Sequence, residues 1–155
     1  MGIEKEIISA LDYAEKTKKG IEEKADENKS LSTRLFLIIL ISTVISPILI
    51  LLPFGDVYSK YLPALMTASA ALASYWLQLR KPQDRWVIYR GAQREIEYQI
   101  DQYNFGNDEY GKADDKEKLL ADRVSKRALQ LHYEWVPFAP KAEEIEKLLK
   151  GEKDK

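Results

Sequence analysis

The chain of 155 residues contains no cysteine, so a disulfide framework, a thiolate metal site and a cysteine nucleophile are all excluded. It contains one histidine, His132, which alone makes neither a histidine cluster nor a serine/histidine dyad. No glycine-rich phosphate loop, metal-ligand spacing or nucleophile elbow occurs. The expectation is a protein that is not an enzyme, with no catalytic residue, no metal and no cofactor. An excess of charge of either sign is also missing, since 24 Lys and Arg meet 25 Asp and Glu. Nothing in that balance draws the chain to nucleic acid.

The most telling absence is local. Residues 35–55 hold no Asp, Glu, Lys, Arg or His, and neither do residues 61–79. A bilayer is crossed by about 20 apolar residues rising 1.5 Å each, so both stretches are long enough. The average of 45% apolar and 32% charged residues therefore describes no part of the chain, and a soluble globule is the wrong class. A signal peptide does not fit the first stretch either. A charged leader of 34 residues precedes it, and no small-residue cleavage site follows at Leu52, Pro53 and Phe54.

Two membrane helices are expected, over about residues 35–52 and 61–79, within a hairpin of residues 31–80. Pro47 removes one backbone hydrogen bond and kinks the first, a defect that Thr43 or a neighbouring helix can satisfy. Pro53, Phe54, Gly55 and Asp56 break the chain between them. The connection carries only Asp56 and Lys60, whereas Arg80, Lys81, Arg85, Arg90 and Arg94 follow the second span and seven Lys or Arg precede the first. Basic residues stay on the cytoplasmic side, which places both termini there. Tyr58, Tyr61, Tyr75 and Trp76 sit where aromatic belts form.

The second span is rich in small residues. Ala64, Ala68 and Ala71 are candidate packing positions, because small side chains let helices approach closely in lipid. Small residues occupy more than one face, and packing on the hairpin partner needs one, which predicts self-association. Ser42, Ser46, Thr67, Ser74 and Gln78 are the candidates for lining a pore. The alternative for such hydroxyls is a bond back to their own helix or across the hairpin. With no ionisable group in either span, a proton relay or voltage sensor is not expected, and permeating ions would meet a weakly polar wall.

The flanks read as helices. Residues 1–30 carry Ile3, Ile7, Leu11, Ala14, Ile21 and Ala25 at helical spacing, interrupted by Lys18. This stripe lies against its own protein or forms a coiled coil with neighbouring copies. Ser30 or Ser32 can cap the helix that follows. In residues 81–136 the spacing predicts an antiparallel helical hairpin. One helix, over 83–103, presents Trp86, Tyr89, Gln93, Ile96, Ile100 and Tyr103. A loop at 104–114 contains Gly106 and Gly111, and a second helix over 115–136 presents Leu120, Ala121, Val124, Ala128, Leu131 and Trp135. Residues 137–155 form a short helix and a charged tail. Arg85, Arg90 and Arg94 are candidates for an anion or a lipid head group, or else Arg90 and Arg94 pair along their helix with Glu95 and Glu97.

A charged leader, a two-span hairpin and a helix reading Trp86-Val87-Ile88-Tyr89-Arg90 through Glu95, Glu97 and Tyr98 to Tyr103, with Glu134-Trp135 beyond, resembles the SLATT group of prokaryotic proteins. These are the SMODS and SLOG-associating two-transmembrane effectors, and the likeness is to a branch known as a domain of unknown function. It covers roughly residues 30–136. The resemblance implies a pore-forming effector of a conflict system in a prokaryotic inner membrane, triggered by a separate nucleotide-linked sensor. The reading is an all-α, two-span integral membrane protein with a cytoplasmic helical bundle. Its partners are the lipid bilayer, permeating ions and further copies of itself, four or more chains around a channel, with no nucleic acid. The alternative is a membrane-anchored scaffold whose aromatic-rich helices bind a cytoplasmic partner.

Overall fold

The computed structural model describes residues 9–51, 55 and 57–138. The predicted start of the leader helix at Ile3 and Ile7, the break at Pro53 and Asp56, and the helix at 142–149 with its tail lie outside the described residues. The chain is all-helical, with no strand among the described residues. Four α-helices account for most of it: α1 (Ala10–Leu51), α2 (Leu62–Arg80), α3 (Pro82–Phe105) and α4 (Lys116–Trp135), with a π-helical turn at Val57–Tyr61 and short 3-10 turns after α3 and α4.

Ser9 begins α1, accepting a hydrogen bond from the Asp12 amide at 3.1 Å and donating to the Asp12 carboxylate at 2.8 Å. That satisfies one of the amides a helix start leaves open. No second start follows. The helix continues through Ser30 and Ser32, so neither caps a new one: their neighbours carry no breaker, and an unbroken ladder leaves no free amide to accept. At 42 residues α1 is about 63 Å long, twice a bilayer core. Among the described residues it is the one helix long and apolar enough to cross a membrane. Pro82 follows α2 and occupies the first turn of α3, where a missing amide costs nothing. Between them Lys81 adopts left-handed backbone at φ 44°.

The chain divides into two compact units. The first draws on Met1–Glu27 and Asp84–Pro137, the second on Asn28–Gln83 and Phe138–Lys155. In the first unit the opening turns of α1 join α3 and α4 around Ala14, Ile21, Ala92, Ile96, Ile100, Tyr110, Leu120, Val124 and Leu131, all buried. Arg85 over Trp135, Glu95 with Arg127 and Gln99 with Arg123 set α3 and α4 antiparallel. Asp26 with Arg90, and Tyr13 with Ser125, attach α1. The α1 stripe therefore lies in its own chain's core. Lys18, the apparent interruption, ion-pairs with Glu15 at 2.6 Å and stays partly exposed along its stem.

Candidate functional site

The second unit inverts the usual distribution of side chains. From Phe36 to Leu51 the large apolar residues point outward: Phe36, Leu37, Ile38, Leu40, Ile41, Val44, Ile45, Ile48, Ile50 and Leu51 are all exposed. Ser42 and Ser46 are buried. In α2 the exposed residues include Leu65 and Leu72, and the buried ones are Pro63, Ala70 and Ala73. Water penalises such a surface. Hydrocarbon does not, and there the polar and small residues belong between the helices.

The hydroxyls meet around one carbonyl. Ser46 Oγ donates to the Pro63 carbonyl at 3.3 Å and lies 3.4 Å from the Thr67 hydroxyl, which donates to that same carbonyl at 2.9 Å. Pro63 and Thr67 are four apart, so one oxygen serves a back-bond within α2 and a bond from α1. Ser69 likewise bonds back to Leu65. Thr43 donates to the carbonyls of Ile39 at 2.8 Å and Leu40 at 3.0 Å. Its hydroxyl thus points one turn upstream of the bond that Pro47 deletes, and it is not the group that repairs that defect.

Ser42 and Ser46 are therefore enclosed within a single chain, against the expectation that they face a lumen. For Ser46 the physical reason is that a buried hydroxyl needs an acceptor, and the Pro63 carbonyl of α2 supplies it. Thr67 and Gln78 remain exposed and Ser74 is half-buried. With Ala64 and Ala71, both exposed, they form a stripe at three- and four-residue spacing, and Ala68 lies beside it. The face that α2 buries is the adjacent one, through Ala70 and Ala73. A groove of about 660 Å³ runs along Ser46, Ile50, Lys60, Ala64, Thr67, Ala68 and Ala71.

Arg85, Arg90 and Arg94 are not brought together. Arg85 lies over the Trp135 ring at 5.4 Å. Arg90 is held by Asp26 at 2.5 Å, with Glu22 at 3.8 Å and Gln93 at 2.5 Å. Arg94 pairs with Glu97 at 2.8 Å and is 70% exposed. The expected pairing along α3 holds for Arg94, whereas Arg90 is taken by α1, whose carboxylates lie across the stripe. Glu95 joins Arg127 on α4, an arginine only 11% exposed that also reaches Glu134. A three-arginine anion site does not assemble.

Two grooves mark the first unit. One of about 490 Å³ lies between α3 and α4 along Arg94, Tyr98, Arg123, Lys126 and Gln130. Another, of about 400 Å³, is lined by Thr17, Ile21, Lys24, Tyr89, His132 and Trp135. Burial raises the Tyr89 phenol above its ordinary range, partly offset by the Arg85 guanidinium. His132 is a surface residue, edge-on to Tyr133. No group of three or more metal-ligating side chains occurs among the described residues.

Sequence reasoning missed Tyr110. Its ring is fully buried within the supposed loop, edge-on to Tyr103 at 6.0 Å, and its hydroxyl donates to Gln99 at 3.0 Å. Arg123 donates to that Gln99 oxygen too, stacks over the Tyr110 ring and pairs with Glu109. The available signal was the pair of glycines around it, Gly106 at φ 63° and Gly111, which fold the segment tightly enough to return a side chain to the core.

The sequence profile of a family described as a protein of unknown function (DUF4231) matches residues 16–118. No curated protein and no solved structure matches the chain.

Proposed function

Because the chain belongs to the DUF4231 family, whose description assigns no role, its function rests on its own residues, and we propose a two-span membrane protein that assembles as a homo-oligomer around a channel. In this reading α1 and α2 form an antiparallel hairpin in a prokaryotic inner membrane, with both termini cytoplasmic and the first unit on that side. The resemblance to the SLATT group supports an effector role in a conflict system, its trigger supplied by a separate partner.

One observation carries the assembly. α2 buries Ala70 and Ala73 yet leaves a second small and weakly polar stripe among large apolar side chains, with Ala64, Thr67, Ala71 and Gln78 exposed and Ser74 half-buried. Within the hairpin only Thr67 of that stripe meets α1, through Ser46, whereas a neighbouring copy packed on Ala64, Ala71 and Gln78 gains close backbone approach. With Ser42 and Ser46 enclosed, the proposed lining is Thr67, Ser74 and Gln78. A helix is about 10 Å across, so enclosing water takes on the order of four chains with one lining helix each.

Light scattering on the detergent-solubilised complex, with the detergent mass subtracted, tests the assembly. A defined ring-sized oligomer is expected. Liposome flux then tests the lining: Ser74→Leu is expected to reduce conductance with the oligomer intact. A stable monomer or dimer in several mild detergents would remove the channel.

The groove between α3 and α4 favours a second reading, a membrane-anchored scaffold, since Tyr98 is exposed there beside Arg94, Lys126 and Gln130. Full-length protein carrying Tyr98→Ala and Lys126→Glu would then lose a captured partner while its mass stayed the same.

A further inference from the structure

The arginines expected to meet lipid are engaged in the first unit, but the second unit keeps cations that are not. Residues 28–83 contain five basic residues, Lys29, Arg34, Lys60, Arg80 and Lys81, against one acid, Asp56. None of Arg34, Arg80 and Lys81 has a carboxylate within 4.0 Å among the described residues, and Arg80 lies over the Trp76 ring, 5.0 Å from its centre. Arg90, Arg94, Arg123 and Arg127, by contrast, all have carboxylate partners.

Lys81 stands out by its backbone. It is the only non-glycine residue with positive φ among the described residues, and its amide donates to the Leu77 carbonyl at 3.0 Å to close α2. Glycine is the residue favoured at such a helix end, and a lysine there is strained. Strain held at one position is a pointer to function. Tyr75 and Trp76, both exposed, lie six and five residues before it, as aromatic residues do at a head-group boundary. Continuing the hairpin from the contacts of Ser46 with Pro63 and Thr67, with α2 running opposite to α1, brings Arg34 level with about residues 75–79.

We propose that Arg34, Arg80 and Lys81 form a collar that binds the phosphate of anionic phospholipids at the end of the hairpin nearest the termini. The site rests on the two-span reading. No carboxylate pairs with its three cations within 4.0 Å among the described residues, its aromatic neighbours set the depth, and Lys81 projects a cation at the boundary where the chain leaves α2. Each basic residue near an anionic surface contributes roughly fivefold in affinity, the equivalent of about 1 kcal/mol.

The test follows the melting midpoint of the full-length protein in dodecyl maltoside micelles as phosphatidylglycerol, phosphatidylcholine or inorganic phosphate is added. Phosphatidylglycerol is expected to raise the midpoint and the other two to leave it unchanged. The combined variant Arg34→Gln, Arg80→Gln, Lys81→Gln should need roughly 100-fold more phosphatidylglycerol, and Lys118→Gln should behave as the parent. An equal response to phosphatidylcholine, or to phosphate alone, overturns the site, as does a combined variant that titrates like the parent. Should the combined variant fail to fold, Lys81→Gly decides. It relieves the left-handed backbone, so it should melt higher without lipid yet need about fivefold more phosphatidylglycerol; an unchanged titration counts against the collar. Alkaline carbonate washing of membranes separates the two failures: release of the chain sinks the two-span reading with the site, whereas a retained chain indifferent to phosphatidylglycerol sinks the site alone.

Discussion

Tyr110 shows how one side chain closes the loop between α3 and α4. Tyr110→Ala would empty a fully buried site and is expected to cost about 3–5 kcal/mol. Tyr110→Phe keeps the ring and removes the hydroxyl that donates to Gln99, an oxygen Arg123 still serves, so a loss of about 1 kcal/mol is expected. Denaturant titration in detergent, followed by near-ultraviolet circular dichroism, distinguishes the two. Two ionisable residues of the same unit give a pH dependence of known sign. The hydrogen bond that Lys18 donates to Glu15 raises it above its ordinary 10.5, and burial raises Tyr89 above its ordinary 10.0. In both the folded state holds its proton more tightly than the unfolded state. Their contribution is thus complete below about pH 10 and is lost as pH rises through the folded values. The melting midpoint should fall on alkaline titration, and Tyr89→Phe should make that fall shallower.

At the scale of elements, the turn after α3 depends on Gly106 and Gly111. A Cβ at position 111 would stand 2.6 Å from the Gly106 carbonyl oxygen, and Gly106 itself has φ 63°. Gly106→Ala is expected to cost about 1–2 kcal/mol through its left-handed backbone. Gly111→Ala should be worse, because backbone rather than a flexible side chain blocks it; thermal melts of the two variants check the order. The course of α1 bears on fragment design. Its residues before Asn28 supply Ala14 and Ile21 to the core shared with α3 and α4. A fragment beginning at Lys81 is therefore expected to expose that core and aggregate. Ser46→Leu places a bulky group where a hydroxyl bonds the Pro63 carbonyl and is expected to lower the melting midpoint, whereas Ser74→Leu, at a half-buried position, should lower it less.

For the whole molecule, the absence of cysteine makes topology directly measurable, since any introduced thiol is the sole one. Ser59→Cys, in the connection between α1 and α2, is expected to react with a membrane-impermeant maleimide on intact spheroplasts. Lys112→Cys, between α3 and α4, should react only after permeabilisation. Both labelled from the same side would overturn the hairpin. The proposed channel also belongs to this scale, because its lining is a property of several copies and no single chain encloses a lumen.

Charge-free runs and helical spacing were legible in the residues alone. The chain could read as all-α because Ile96, Ile100, Leu120, Val124 and Leu131 repeat at the helical period, and hydrophobic periodicity is a local property. The helices α3 and α4 follow from it within a residue or two. What spacing could not decide was the choice between partners of equal chemistry. Arg90 had Glu97 within reach along its own helix, and the approach of α1 handed it Asp26 instead. Ser46 carried the same hydroxyl whether it faced water or α2. Tyr110 sat among polar neighbours and glycines, and only the turn built on Gly106 returned it to the core. Each of these outcomes depends on which distant segment arrives nearby. That is set by the packing of the whole chain, because hydrogen bonds and ion pairs form with whichever partner the fold brings within about 3 Å.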